Sequence, residues 1–282
     1  MTKILIVGYS GLVGKEIVKT FSNLNYDIYG LNTQTSSRTE LNKVSVTHLK
    51  LAEIEEYEFS VIILSLQNIA FKNNANAFFD QKSVFQTENA VKNYLFLNPN
   101  CKLVLLSSVA VYGSYEILDN IYLPPKRPSY YGIYKSMQEE IFKLGPFDNR
   151  TTILRLPAVL CKDSVNHFPA RVISNLKQNK DVYVCHPAKL WNSCLTINDL
   201  VKIILKIFKS ESLYSNVIVP HASGAMKILD VVTQMKFDLD SDSKILITKT
   251  DTSGGVANIL VKSNFETMNV EESIYFFTRL NI

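Results

Sequence analysis

Lys3-Ile-Leu-Ile-Val-Gly8-Tyr-Ser-Gly11-Leu-Val-Gly14 joins an unbroken apolar run to three glycines placed three residues apart. A short apolar run closed by glycine reads as a buried strand over Ile4 to Val7. Beyond it, Leu12, Ile17, Val18 and Phe21 recur at helical spacing and form the apolar face of a helix. The alternation continues. Tyr26 to Leu31, Val44 to Leu49, Val61 to Leu66, Lys102 to Ser107 and Thr151 to Leu156 read as strands, with helices over about Ala75 to Leu97 and Tyr131 to Leu144. Apolar strands alternating with helices predict an α/β fold, a doubly wound parallel sheet covered on both faces. In such a sheet, ligands lie beyond the carboxyl ends of the strands.

At 282 residues the chain can bury a full core in one large or two closely packed domains. A hydrophobic share of 46% and a charged share of 20% are those of a globular protein. The net charge of +4 is spread without a Lys/Arg block, so no nucleic-acid partner is expected. No apolar run reaches the roughly 18 residues that would span a bilayer. The sequence opens on a strand rather than an export leader, so a cytoplasmic location without membrane contact is expected. Cys101, Cys161, Cys185 and Cys194 lack CxxC spacing, and the four histidines are scattered, which points to reduced thiols and no metal site.

After Pro157 the regularity loosens. Phe168 to Leu176 and Asn198 to Phe208 read as helices, Val182 to Cys185 and Asn216 to Val219 as short strands. Asp238 to Ser243 and the Ser253-Gly-Gly255 turn read as surface loops. The expected division is a first domain over residues 1–160 and a smaller lobe over 161–282, some of whose segments return to the sheet.

The glycine stretch suggests what the first domain binds. Gly8 ends the strand, Gly11 lets backbone approach a pyrophosphate, and Gly14 lets the helix pack closely on the sheet. Ser10, Leu12 and Val13 share that turn, where unsatisfied helix N–H groups favour a phosphate. A tight turn without ligand is the alternative. The carboxylate that would hold an NAD ribose after the second strand is absent: Leu31 is followed by Asn32 and Thr33, then Ser36, Ser37 and Arg38. A missing carboxylate removes repulsion against a 2′-phosphate and Arg38 offers it a partner, which favours NADP, with NAD as the alternative. Leu66, closing the fourth strand, completes the expected cofactor lining.

Tyr131-Gly-Ile-Tyr-Lys135 places a tyrosine and a lysine one helical turn apart on one face. Tyr122 and Lys126 have the same spacing, but Pro124 and Pro125 forbid a helix between them. Upstream lies Ser107-Ser-Val-Ala-Val-Tyr-Gly113. A glycine fingerprint, a strand-end hydroxyl and a Tyr/Lys helix turn, in that order, resemble the extended short-chain dehydrogenase/reductase family of the NAD(P)-dependent epimerase/dehydratase type. Gly8, Gly11 and Gly14 match its glycines, Ser108 its Ser or Thr four residues before Tyr112-Gly113, and Tyr131 with Lys135 its Tyr-Gly-x-x-Lys. Leu195-Thr-Ile-Asn-Asp199-Leu200 is similar to its later Val-x-Asp stretch.

The resemblance implies a Rossmann domain binding a nicotinamide dinucleotide, a C-terminal lobe over a nucleotide-sugar substrate, and a homodimer. It makes Ser108, Tyr131 and Lys135 catalytic. A free phenol, pKa near 10, is too weak a base at neutral pH, and the Lys135 ammonium favours its ionisation. Lys135 is also implied to hold the nicotinamide ribose. Dimers of the family pack two helices per subunit, here about Ala75 to Leu97 and Tyr131 to Leu144, with Phe78, Phe79, Phe85 and Tyr94 facing either the partner or the core.

Three departures bear on specificity. Lys50 and Leu51 stand where the family often has an Asp beside the adenine. Arg155-Leu-Pro157-Ala158-Val-Leu-Cys161-Lys162 lacks the Asn and the Gly-Pro turn of the family's Arg-x-x-Asn-Val-Tyr-Gly-Pro, which leaves Arg171, Lys162 and Lys189 either as phosphate contacts or, more commonly for such residues, as ordinary solvated charges. Val109 and Ala110, not acidic residues, follow Ser108, which argues against dehydration. The reading is an NADP-dependent reductase of a sugar ketone, a nucleotide-activated 4-keto-deoxysugar. A nucleotide-sugar 4-epimerase holding NAD is the runner-up, and an NADP-sensing or interaction protein on the same fold is the non-enzymatic alternative.

Overall fold

The computed structural model describes residues 2–24, 26–32, 46–66, 82–144, 146–210, 217–248, 256–263 and 265–282. Lys3–Val7 (β1), Leu12–Ser22 (α1), Asp27–Leu31 (β2), Thr47–Leu49 (β3), Val61–Leu64 (β4), Lys82–Leu97 (α2) and Lys102–Ser108 (β5) come first. Ile117–Leu118 (β6), Tyr130–Lys143 (α3), Thr151–Leu156 (β7), Ala158–Leu160 (β8), Phe168–Lys177 (α4), Val182–Cys185 (β9), Leu190–Trp191 (β10) and Cys194–Thr196 (β11) follow. Ile197–Lys209 (α5), Val217–Ile218 (β12), Met226–Lys227 (β13), Ile228–Asp238 (α6), Ile245–Thr248 (β14), Asn258–Ile259 (β15) and Val270–Leu280 (α7) complete the chain.

The doubly wound parallel sheet is present, with seven strands in the order β12-β7-β5-β4-β1-β2-β3. The chain starts mid-sheet, adds β2 and β3 on one side, then crosses back to lay β4, β5, β7 and β12 on the other. Val7 therefore lies between Leu31 of β2 and Leu64 of β4. This is where the strand order reverses, the place at which such sheets open a crevice. Alternate residues of β1 serve opposite faces. Leu5 and Val7 pack in one cluster with Val91 and Tyr94 of α2 and Tyr134 and Phe142 of α3. On α1, Ile17, Val18 and Phe21 are buried, and Phe21 meets Phe208 of α5 edge to face at 5.2 Å.

Several elements differ from the sequence reading. Leu12 is not on the apolar face of α1 but 40% exposed, because it is the first residue of the helix and sits beyond the sheet's edge. The third strand is described only over Thr47–Leu49, and the helix expected from Ala75 from Lys82 onward. Tyr94 is a core residue: its hydroxyl accepts from the Phe59 amide (2.7 Å) and donates to the Tyr57 carbonyl (2.9 Å).

The chain divides into two compact units. The first is Met1–Val111, Ser129–Arg155 and Val201–Ile218, and carries the seven-stranded sheet. The second is Tyr112–Pro128, Leu156–Leu200 and Val219–Ile282. Within it, α4, α6 and α7 close over a core that includes Ile173, Leu176, Val231, Met235, Ile274 and Phe277. Sequence periodicity did not disclose α6 or α7, although the Asn269–Glu272 capping box marks the start of α7. Nor is Asp238 to Ser243 wholly a surface loop. Ser241 and Ser243 are buried, and the Ser241 hydroxyl donates to the Leu176 carbonyl at 2.7 Å.

In the sheet unit, Arg150 closes the C-terminal end of α2. Its guanidinium donates to the carbonyl of Leu95, one that the helix end leaves unsatisfied, and to those of Asn98 (2.6 Å) and Cys101 (3.0 Å) just beyond it. Arg150→Met keeps the apolar stem and strands those acceptors. It should lower stability by about 2–4 kcal/mol, read as an earlier midpoint in urea; an unchanged midpoint would refute this role.

Candidate functional site

Backbone hydrogen bonds shape the turn between β1 and α1. The Gly8 amide donates to the Leu31 carbonyl (2.7 Å) and the Gly11 amide to the Gly8 carbonyl (3.1 Å). Gly8 has φ +82°, and a Cβ there would lie 2.6 Å from the Ser65 carbonyl oxygen. A Cβ on Gly14 would strike the Gly8 carbonyl and come within 2.8 Å of the Tyr9 Cα. Both positions exclude any other residue. Gly11 caps α1 without a side-chain hydrogen bond, and no acidic residue lies in the first turn. The amides of Leu12, Val13 and Gly14 thus form an uncapped, positively polarised end. This cradle fits the pyrophosphate of a dinucleotide.

Asn32 ties the second strand to this turn. Its Oδ1 accepts from the Ser10 hydroxyl (3.0 Å) and amide (3.4 Å), and its side chain also bonds Tyr9. Tyr9 fills the space above Gly30, where a Cβ would lie 2.6 Å from its ring, and its hydroxyl bonds His48 Nδ1 at 2.7 Å. Thr33, Ser36, Ser37 and Arg38 lie outside the described residues.

α3 begins where Ser129 caps it, accepting from the Gly132 amide at 3.1 Å. That register turns Tyr131, Tyr134, Lys135, Gln138, Glu139 and Phe142 inward and leaves Tyr130 exposed. Tyr131 retains 7% exposure; Lys135 retains 1%. The Lys135 ammonium donates to the Leu66 carbonyl (2.8 Å), the Leu106 carbonyl (2.9 Å) and Gln138 Oε1 (2.9 Å). All three of its protons are engaged by protein, so a ribose contact requires exchange of one of these partners. Burial drives its pKa down to about 8, against the opposing charges of Glu88 and Glu139.

The adjacent serines at the end of β5 differ in kind. Ser107 is buried and donates to Glu139 Oε1 at 2.5 Å. Ser108 is half-buried and its Oγ accepts from the Ala110 amide at 3.1 Å. That bond orients the hydroxyl without using its proton. Among the predicted residues, Leu66, Lys135 and the β5 end that carries Ser108 are thus joined directly, and Ser10 and Asn32 join the glycine turn.

The sequence reading missed two buried clusters on α3. Glu139, one turn beyond Lys135, accepts from Arg155 Nε at 3.0 Å and from its Nη2 at 2.7 Å, with Lys143 at 3.3 Å. Burial pushes the Glu139 carboxyl up, but Arg155, Ser107 and Lys143 hold it below the usual carboxylate range. Its spacing of four from Lys135 was the available signal. In the second cluster Tyr134 donates to Glu88 Oε1 (2.5 Å), as does Gln138 Nε2 (2.7 Å). Burial raises the Glu88 carboxyl, partly offset by Tyr134, Gln138 and Lys135. Burial raises the Tyr134 phenol as well, reinforced by Glu88.

In the second unit, Lys162 and Arg171 are exposed and Lys189 is half-buried. Among the described residues no group of His, Cys, Asp and Glu is placed to hold a metal ion. No described helix is long and apolar enough to cross a membrane.

A profile of the NAD dependent epimerase/dehydratase family matches residues 4–218. Among solved structures, the chain is similar to UDP-glucose 4-epimerase with UDP-glucose from Thermotoga maritima, with a TM-score of 0.79 at 14% identity over 99% of this chain and 98% of that one. It is also similar to dTDP-glucose 4,6-dehydratase from Bacillus anthracis in complex with NAD (TM-score 0.78, 16% identity, 99% and 96% covered). A third likeness is to dTDP-4-dehydrorhamnose reductase from Yersinia enterocolitica (0.75, 13% identity, 100% of each chain). At these identities the likeness establishes the fold. No curated protein sequence matches the chain.

Proposed function

We propose that this chain, which belongs to the NAD dependent epimerase/dehydratase family, is an NADP-dependent reductase of a sugar ketone, a nucleotide-activated 4-keto-deoxysugar. The observation that carries the reading is the join between α3 and the strand ends: Lys135, one turn from Tyr131, is bonded to the carbonyl of Leu66, just past β4, and to that of Leu106, two residues before Ser108 in β5. The nucleotide sugar as substrate class is supported by the neighbours crystallised with UDP-glucose or named for dTDP sugars. Reduction is preferred to dehydration because Val109 and Ala110 offer no acid after Ser108.

In this mechanism Gly8, Gly11 and the first-turn amides of α1 bind the dinucleotide, with Ser10, Asn32 and Leu66 lining it and Thr33 and Arg38 assigned to the adenosine ribose. The bound cofactor supplies the hydride. Ser108 donates its free proton in a hydrogen bond to the substrate's carbonyl oxygen and polarises it. Tyr131 delivers its phenolic proton to that oxygen as the alcohol forms, and the Lys135 ammonium stabilises the phenolate left behind.

Tyr131→Phe keeps the ring and removes the proton, so ketone reduction with a panel of nucleoside-diphosphate 4-keto-6-deoxysugars should fall by roughly 100-fold or more with NADPH binding retained. Ser108→Ala should lower turnover without loosening the cofactor. Near-full activity of Tyr131→Phe would reject this acid. Interconversion of 4-epimers on tightly held NAD would establish the epimerase instead, and NADPH binding without turnover on any substrate the sensor.

NADP is favoured because Asn32 is neutral where a carboxylate would repel the 2′-phosphate. Asn32→Asp should weaken NADPH binding by roughly tenfold or more and spare NADH, measured by fluorescence titration. Equal affinity of the unmodified protein for both cofactors would overturn the preference.

The chain is further read as a homodimer. Tyr130, Ile133 and Met137 are exposed at positions i, i+3 and i+7 of α3, an apolar stripe left open among the described residues. Tyr94 lies in the core and the half-buried Phe85 packs against it, while Phe78 and Phe79 lie outside the described residues. Light scattering at micromolar concentration should give twice the subunit mass, and Met137→Glu the single mass; a monomeric unmodified protein would reject the dimer.

A further inference from the structure

Glu88 lies mid-way along α2 with 1% exposure. Its Oε1 takes both hydrogen bonds, from Tyr134 and Gln138, while Oε2 is buried with no partner among the described residues. Packing does not call for a charge here. An amide would fill the same space and accept the same two bonds, and a buried carboxylate with an idle oxygen is unfavourable unless its charge is used.

The charge has one evident use. Gln138 turns its amide nitrogen to Glu88 and its carbonyl oxygen to the Lys135 ammonium at 2.9 Å. Carboxylate, amide and ammonium thus form one polarised chain in which each bond strengthens the next. The other carboxylate near Lys135, Glu139, is already balanced by Arg155 and Lys143. The titratable groups around the chain are Glu88 from α2 and Tyr131, Tyr134 and Glu139 from α3; β4 and β5 contribute backbone carbonyls.

We propose that Glu88 is a positioning residue for this enzyme: acting through Gln138, its charge keeps the Lys135 ammonium protonated and fixed against the ends of β4 and β5, one helical turn from Tyr131. The consequence for catalysis rests on the function proposed above; the effect on Lys135 does not. Burial pulls Lys135 down to about 8, and Glu88 is the largest opposing influence. Removing its charge makes the lysine proton leave at lower pH.

The test is a pH titration of Lys135 by carbon-13 NMR on protein carrying labelled lysine, the signal assigned by its loss in Lys135→Met. The midpoint should fall by about one unit or more in Glu88→Gln, and Glu88→Asp, which keeps the charge, should restore most of it. If Glu88→Gln does not fold, Gln138→Leu serves, because it cuts the link and should lower the midpoint as well. An unchanged midpoint in whichever of these two folds overturns the proposal. A second readout is NADPH affinity: Glu88→Gln should lose roughly tenfold at pH 8 and recover at pH 6.5. A shifted midpoint with unshifted NADPH affinity would leave Glu88 as the group that charges Lys135 and refute the ribose role of Lys135 instead.

Discussion

An ammonium cut off from water must be satisfied by protein, and much of the sheet unit is arranged around that demand at Lys135. Two neighbouring parallel strands, β4 and β5, run out side by side, and carbonyls just past the end of β4 and near the end of β5 accept its protons. A methionine would pack at position 135 at lower cost, since buried ions gain little over apolar residues of like size. The fold therefore holds a charge at a place where stability alone would not put one, at the carboxyl edge where the strand order reverses.

Two carboxylates reach the interior around α3, and their surroundings separate their behaviour. Glu139 faces a guanidinium, a serine hydroxyl and Lys143, so it remains ionised and locks β7 to α3 through Arg155. Glu88 faces a phenol and an amide, and burial raises it. Groups of one type pushed apart by their environments commonly serve different ends. The paired serines follow the same logic, because successive strand residues point to opposite sides. Ser107 is turned into the Glu139 cluster and its proton is committed. Ser108 is left at the edge with its proton available.

What the sequence disclosed depended on the length scale of the interaction. Backbone requirements were legible: no residue but glycine fits Gly8 or Gly14, so the strand, turn and helix could be read from spacing. The inward register of α3 was legible as well, since Tyr131 and Lys135 needed one common face. Interactions between distant elements were not. Nothing local to Tyr94 says that its hydroxyl serves the Phe59 amide, and nothing local to Glu88 says that Gln138 lies opposite. In the second unit the strands are two to four residues long and paired across large sequence gaps, β6 with β15 and β9 with β14. Such pairings leave little periodicity, which is why α6 and α7 were missed between them and why Ser241 was read as solvated.

The Asn32 contact separates geometry from charge in the cofactor site. Its oxygen accepts from Ser10, and an aspartate oxygen in the same place would accept equally well, with a stronger bond. The turn therefore does not need an asparagine. Nor does packing, because the two side chains have almost the same shape. What asparagine changes is the charge beside the turn and the presence of a donor where aspartate has only acceptors. A ribose bearing two free hydroxyls is served better by the acceptor, a ribose bearing a phosphate by the donor. At this position the two residues therefore differ chiefly in charge, and the Asn32 side chain also bonds Tyr9.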